Sequence, residues 1–185
     1  MADASKEPNA AEPGEAAGLV LRLSLRFGVG VGLVCALWMA GLQLMGSNGF
    51  GPKQVLAQLL VPLAAVASEW VLRRQLRPHR SGLARSLGVG ILTVLIAAFI
   101  SASSVVGLAR GAGEPALARN RDEVLEIVQA QQRENPKAQL STAAQQQQVR
   151  NVANMSVSDM ASSNFTQVLL LGFVLAIPAG IFLRE

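Results

Sequence analysis

The chain has 185 residues, of which 51% are hydrophobic and only 15% are charged, and its mean hydropathy is +0.37. Since a soluble domain carries about 25% charged residues, this composition indicates an integral membrane protein. The net charge of +4 is spread over several segments and forms no basic globular face, which argues against nucleic-acid binding. The single cysteine, Cys35, excludes an intramolecular disulfide and a cysteine-based zinc cluster.

The amino-terminal segment, residues 1–18, is rich in Ala, Glu and Pro and carries four acidic residues against one lysine. Such a segment has too few apolar side chains to fold by itself. We therefore expect residues 1–18 to form a disordered cytoplasmic tail, followed by a membrane domain over residues 19–185.

Four apolar runs are long enough to cross a bilayer, which takes about 20 residues of α-helix. They cover approximately residues 27–45, 55–72, 87–109 and 165–183. The expected fold is all-α, an integral membrane four-helix bundle. Pro62 and Pro178 are expected to kink the second and fourth spans, because proline removes a backbone hydrogen bond.

The orientation of the bundle follows from arginines in the short turn between spans two and three. Short loops rich in Lys and Arg face the cytoplasm, and the turn between spans one and two has only Lys53. We therefore expect both termini in the cytoplasm. The same side chains are candidate contacts for anionic lipid headgroups: Arg73, Arg74, Arg77, Arg80 and Arg85.

The long segment 110–164 between spans three and four is expected to form an extramembrane helical hairpin. Pro115 suits the first position of one helix, and Asn135-Pro136 would end it. Ser141 would cap a second helix, with Val149, Val152, Ser156 and Met160 along one face. The sequence leaves open whether the hairpin lies on the membrane, packs on itself or docks another protein.

Small residues recur every four positions in spans one and four, as in helices that pack closely in lipid. The members are Gly28, Gly32, Ala36 and Ala40 in span one and Gly172, Ala176 and Gly180 in span four. We favour packing within one four-helix bundle over homodimerisation.

Glu69 is the only acidic residue inside an apolar run. Because Arg73 follows one helical turn later, near the expected cytoplasmic end of the span, we expect an intramembrane ion pair between Glu69 and Arg73. The alternative is a proton or cation relay, which would need polar residues at the same depth on facing helices. Thr93 is one candidate for such a residue.

Polar residues near the outer ends of the spans are Ser101, Ser103, Ser104, Gln43, Gln58 and Gln167. We expect them to satisfy helix ends and interfacial water, with a small polar vestibule as the alternative. The sequence has no catalytic, cofactor-binding or metal-binding motif, and the lone His79 has no ligand partner at metal-ligand spacing. We therefore expect neither an enzyme nor a cofactor.

Several features together resemble a known family. Arg26-Phe27-Gly28 opens a glycine-spaced first span, Gly82 to Gly90 leads into the third, and the glycine-rich fourth span ends in Ile181-Phe182-Leu183-Arg184. Over about residues 22–185 the pattern is similar to a bacterial family of small four-span membrane proteins known as a domain of unknown function. The resemblance implies a bacterial inner-membrane location and no reaction.

These observations favour a non-enzymatic accessory or scaffold of the inner membrane. Its expected partners are the bilayer, anionic lipid headgroups, and a membrane protein or a second copy of the chain. The alternative is a small oligomeric transporter or channel subunit that uses Glu69, Pro62 and the outer polar residues.

Overall fold

The computed structural model describes residues 13–76, 82–134 and 142–183, and this part of the chain is helical without a strand. Its helices are α1 (Pro13–Leu44), α2 (Val55–Gln58), α3 (Leu60–Leu76), α4 (Leu83–Glu134), α5 (Thr142–Ala153) and α6 (Val157–Phe182), with one 3-10 turn at Pro52–Gln54. Four segments are long and apolar enough to cross a membrane: α1, the run from Pro52 to Leu76, α4 and α6. The expected all-α membrane fold with four spans is confirmed.

Helix α4 is the central element of the bundle. It packs against α1, α3 and α6, and α3 also packs against α1 and α6. Helices α1 and α6 therefore flank the α3–α4 pair on opposite sides. In keeping with this arrangement, α3 and α4 bury a larger share of their apolar residues than the two flanking helices do.

The first helix begins earlier than the sequence suggests. It starts at Pro13, so residues 13–18, which the sequence assigned to a disordered tail, are part of α1. Proline suits a first helical position because its missing N–H would have no partner there. Leu19 and Val20 then pack against a cluster of α1, α3 and α4 residues, which stabilises this helix end. The rest of the predicted tail, residues 1–12, lies outside the described residues.

The third span and the first outer helix form one long element. Only Gly113, with φ 72° and ψ −178°, departs from helical geometry within α4. Pro115 follows in the first turn after this break, as predicted for the start of an outer helix. The helix ends at Glu134, directly before the predicted stop at Asn135-Pro136, which lies outside the described residues.

The second outer helix is shorter than predicted. A continuous face from Val149 to Met160 is wrong, because α5 ends at Ala153 and α6 begins at Val157. Ser156 is the N-cap of α6: its hydroxyl accepts from the Asp159 N–H at 3.1 Å, and the Asp159 carboxylate accepts from the Ser156 N–H at 2.9 Å. This capping box fixes the start of α6. The predicted cap Ser141 lies outside the described residues.

The two prolines of the spans lie in backbone that stays helical. Pro62 cannot donate to the Gln58 carbonyl, and α2 and α3 meet at Leu59, whose φ of −63° and ψ of −16° remain helical, so the second span continues through this point. Helix α6 continues through Pro178.

Glycines bring the flanking helices close to α4. Gly28 and Gly32 of α1 lie against Ile96 and Ile100, while Gly172 and Gly180 of α6 lie against Val94 and Leu87. The other members of these two stripes are the buried Ala176 and the half-buried Ala36 and Ala40. The small residues thus serve packing inside one bundle.

Helix α1 offers a matched pair of substitutions that tests this packing. A Cβ atom at Gly28 would lie 2.8 Å from both Ile96 Cβ and the Thr93 carbonyl oxygen, whereas a Cβ at Gly30 would meet nothing within 4 Å. We expect Gly28→Ala to lower the free energy of unfolding by about 1–3 kcal/mol through overpacking. Gly30→Ala should be neutral or slightly stabilising, since alanine favours helix.

The measurement is thermal unfolding of the two purified variants in detergent, followed by circular dichroism. Equal midpoints for Gly28→Ala and Gly30→Ala would contradict the close α1–α4 contact.

Candidate functional site

Polar and apolar layers alternate along the axis of the bundle. A cluster of Leu23, Leu72 and Val89 closes the end near the α3–α4 turn, and a larger apolar cluster that includes Val61, Ala97 and Val168 fills the middle. A third cluster lies at the opposite end, beneath the outer helices; it includes Met39, Phe50, Val105 and Met160. Buried polar side chains lie between these clusters in two layers, an inner polar layer near the α3–α4 turn and an outer polar layer near the outer helices.

Glu69 is the central residue of the inner polar layer. Its side chain is fully buried, and neither carboxyl oxygen has a hydrogen-bond partner in the described part of the chain. The carboxyl group lies directly against Gly90 of α4, where any Cβ atom would collide with it. Glycine at position 90 therefore makes the space that admits this carboxyl group between α3 and α4.

The expected ion pair between Glu69 and Arg73 does not form. Among the described residues, neither Glu69 oxygen has a partner. The physical reason is the space at Gly90, which lets the carboxyl group turn into the bundle while Arg73, one turn nearer the helix end, stays half-buried. Arg74 instead lies over the Trp70 ring, with its guanidinium carbon 5.6 Å from the ring centroid. Basic residues on the other helices around this layer are exposed at the surface: Arg22 and Arg26 of α1 and Arg85 of α4.

Buried hydroxyl groups from three helices lie in the same part of the bundle as the carboxyl group. Thr93 Oγ1 lies 3.1 Å from Ser68 Oγ and 2.7 Å from the Val89 carbonyl oxygen, and Ser24 Oγ lies 3.1 Å from that same carbonyl. Ser86, one turn from Gly90 on α4, is buried with no partner for its hydroxyl group. Thr93, which the sequence suggested for this depth, is thus joined by three serines from three helices.

The inner layer is well inside the bundle. Glu69 lies seven residues before Leu76, the last residue of α3, which places it about 10 Å from that helix end at 1.5 Å per residue. Leu72 and Val89 lie between it and the end of the bundle and are almost fully buried. A carboxylate in such surroundings is strongly disfavoured unless a proton or a cation neutralises it.

The outer polar layer joins three segments. Asn164 of α6 donates to the Gln54 amide oxygen at 2.9 Å and accepts from the Ser101 hydroxyl of α4 at 2.8 Å. Gln58 is buried beside this network, and both polar atoms of its side chain are without a partner. Gln58 is the last residue of α2.

The other polar residues predicted near this end have local roles. Ser104 donates to the Ile100 carbonyl, the Gln43 side chain accepts from the Gly49 N–H, Ser103 is exposed, and Gln167 lines a surface groove. Sequence reasoning missed Asn164. Extending the four-residue stripe of Gly172, Ala176 and Gly180 backwards through Val168 would have placed Asn164 on the buried face of α6.

Beyond the outer layer, side chains tie the first turn to the outer part of α4. Asn48 donates to Asn120 at 3.0 Å and to the Glu123 carboxylate at 2.6 Å, and Arg119 donates to the Gly46 carbonyl at 3.1 Å. Asn120 is itself buried, with its amide nitrogen 3.2 Å from Met160 Sδ. These contacts hold the outer helix in a fixed position on the bundle.

The remaining predicted residues lie at the opposite end. Arg73 and Arg74 are in the last turn of α3, and Arg85 is exposed in the first turn of α4, so these three cations lie at one end of the bundle. Arg77, Arg80 and His79 lie outside the described residues. Within residues 13–76, 82–134 and 142–183, no group of His, Cys, Asp and Glu side chains is arranged to hold a metal ion.

The comparisons with known proteins give a family and no further relative. A family model described as "Protein of unknown function (DUF4199)" matches residues 26–185. No curated protein and no solved structure matches the chain.

The burial of Glu69 predicts how its replacement affects stability. Replacing a buried ionisable group by an apolar side chain of similar size is often neutral or stabilising. We therefore expect Glu69→Met to keep or raise the thermal unfolding midpoint of the purified protein. In the same experiment Leu72→Ala, at an equally buried apolar position one turn away, should cost about 2–5 kcal/mol.

A large loss of stability in Glu69→Met would mean that the carboxyl group has a structural partner. Circular dichroism melts in one detergent, at one pH, compare the two variants directly.

Proposed function

Because the chain belongs to the DUF4199 family, whose description names no activity, we propose a function from the geometry of the bundle. The protein is a non-enzymatic small transporter or channel subunit that moves protons or a small monovalent cation by way of Glu69. One observation carries this proposal: Glu69 is fully buried among membrane-spanning helices, and neither of its oxygens has a partner among the described residues. Ionisable residues in such positions mark proton and ion pathways in membrane proteins.

The surroundings of Glu69 suit a small positive species. Buried hydroxyl groups lie within one helical turn of Glu69 or of Gly90 along their helices: Ser68 on α3 and Ser86 and Thr93 on α4. Oxygen atoms are the ligands that hard cations prefer. The exposed arginines at this end of the bundle do not reach the carboxyl group, so no cation of the described residues neutralises it. A proton or a cation from solution would complete the site.

The proline in the second span supports a pathway that can change its conformation. Gln58 of the outer layer lies eleven residues before Glu69, about 16 Å along a helix, and the apolar cluster with Val61 and Ala65 separates the two layers. Pro62, which has no N–H to donate to the Gln58 carbonyl, lies between these layers in a span whose backbone stays helical, with Leu59 at φ −63° and ψ −16°. Membrane helices bend most readily at proline, and we assign the hinge of the transport cycle to Pro62.

We further infer that the inner polar layer lies on the cytoplasmic side of a bacterial inner membrane. The arginines at the end of α3 and the start of α4 support this orientation, with both termini in the cytoplasm.

Proton flux in reconstituted vesicles tests the proposal. Purified protein in liposomes that contain a pH-sensitive dye is exposed to an imposed pH gradient, with valinomycin and K⁺ to balance charge. We expect Glu69→Gln to lower the initial rate at least tenfold, since the amide fills the same space but cannot release a proton. A parallel series with Na⁺ and a sodium-sensitive dye distinguishes a cation from a proton.

The matched control is Glu126→Gln, because Glu126 is an exposed glutamate on the outer part of α4. Its flux should equal that of the unaltered protein. A wild-type flux that Glu69→Gln leaves unchanged would remove Glu69 from the mechanism, and vesicles no leakier than empty liposomes would refute transport.

A scaffold role is the second candidate, favoured by the outer part of α4. This helix continues from the membrane to Glu134, and Asn48 holds it through Asn120 and Glu123. A photo-crosslinking amino acid at Ile127, which is 37% exposed, should then capture a stoichiometric partner protein in native membranes. The same group at the lipid-facing Phe99 is the control, and adducts no more abundant at Ile127 than at Phe99 would refute this candidate.

A further inference from the structure

We propose that a lateral groove between α4 and α6 binds one anionic phospholipid, with its headgroup at Arg110. This site lies at the opposite end of the bundle from the arginines of the α3–α4 turn, and it does not depend on the transport proposal. The groove has a volume of about 620 Å³, which lies within the range of specific small-molecule sites.

The floor of the groove is apolar. Ala102 and Val106 of α4 form one wall and Phe165 of α6 forms part of the other, and all three side chains are half-buried. These residues belong to the outer halves of two membrane-spanning helices. An acyl chain is the apolar group that the bilayer supplies at this depth.

The rim of the groove is polar and carries one positive charge. Arg110, Ser162 and Thr166 are all exposed on this rim, so a guanidinium and two hydroxyl groups face the same space. Arginine binds phosphate through two parallel N–H donors, and hydroxyl groups add further donors. The groove therefore has an apolar floor and a cationic rim, as the acyl chain and the phosphate of a phospholipid require.

Arg110 is available for such a ligand because two acidic residues of the adjoining segments, Glu114 and Asp159, have other partners. Glu114 follows four residues later, but the break at Gly113 intervenes and Glu114 forms an ion pair with Arg121 at 2.6 Å. Asp159, at the start of α6, accepts hydrogen bonds from the Ser156 N–H and hydroxyl group. Among the described residues, Arg110 has no ion-pair partner.

The charge of the rim favours an anionic headgroup over a zwitterionic one. A choline or ethanolamine group brings its own cation beside the phosphate, which competes with Arg110, whereas a glycerol headgroup does not. We therefore commit to phosphatidylglycerol-type lipids as the occupant and use phosphatidylcholine as the comparison.

Photo-labelling of the purified protein tests the proposal. The protein is reconstituted in neutral nanodiscs with a small fraction of phosphatidylglycerol that carries a diazirine in one acyl chain, and the adducts are mapped by mass spectrometry. Digestion with chymotrypsin is preferable because Arg110→Gln removes a trypsin site. We expect adducts on residues 102–110 and 157–166, and at least threefold fewer of them in Arg110→Gln.

Two further variants make the result specific. Arg133→Gln removes an exposed arginine from the outer end of α4 and should leave the labelling unchanged. Val106→Trp fills the apolar floor while keeping Arg110, and it should reduce the labelling of the groove as strongly as Arg110→Gln does. Circular dichroism confirms that each variant is folded before labelling.

Equal labelling by the phosphatidylglycerol and phosphatidylcholine probes would overturn the proposal, because the groove would then be an ordinary part of the lipid-facing surface. Labelling that Arg110→Gln leaves unchanged would overturn it as well. Neither result would bear on proton flux, so this proposal and the proposed function fail independently.

Discussion

The close contact of α4 with its neighbours is the interaction on which the rest of the structure depends. Lipid offers helices no hydrophobic reason to associate, so packing contacts and buried polar groups must hold the bundle together. Gly28 and Gly32 let α1 approach α4, and Gly172 and Gly180 do the same for α6. Because α4 packs against α1, α3 and α6, it contributes to each buried layer of the bundle.

The missing side chain of glycine, which lets the helices pack closely, also makes room for Glu69, whose charged form is unfavourable inside the bundle. At Gly90 the missing side chain makes room for the Glu69 carboxyl group and not for an apolar knob. Alanine at position 90 and an apolar residue at position 69 would join the apolar clusters on either side into one continuous core. The carboxyl group adds no described hydrogen bond to the fold, so its presence is better explained by function than by stability.

Much of the fold could be predicted from hydropathy and glycine spacing, because both reflect the membrane itself. The four spans and the stripes of Gly28 and Gly172 belong to this group. The direction of the Glu69 side chain could not be predicted, since it depends on Gly90, which is adjacent in space and distant in sequence. Local spacing favoured Arg73 as a partner, and tertiary packing overrode it. Span three and the outer helix form one element with a break only at Gly113. Hydropathy could not predict this connection, because it carries no information on a single backbone angle.

The break at Gly113 changes the partners of charged side chains as well as the direction of the backbone. A continuous α-helix would place Glu114 one turn above Arg110, where opposite charges attract. With the break, Glu114 turns to Arg121 within the outer helix, and Arg110 keeps its charge at the rim of the α4–α6 groove. In the inner layer a glycine on the same helix leaves Glu69 unpaired. Two glycines of α4 thus leave one acidic and one basic group without a partner among the described residues, the first inside the bundle and the second on its lipid-facing side.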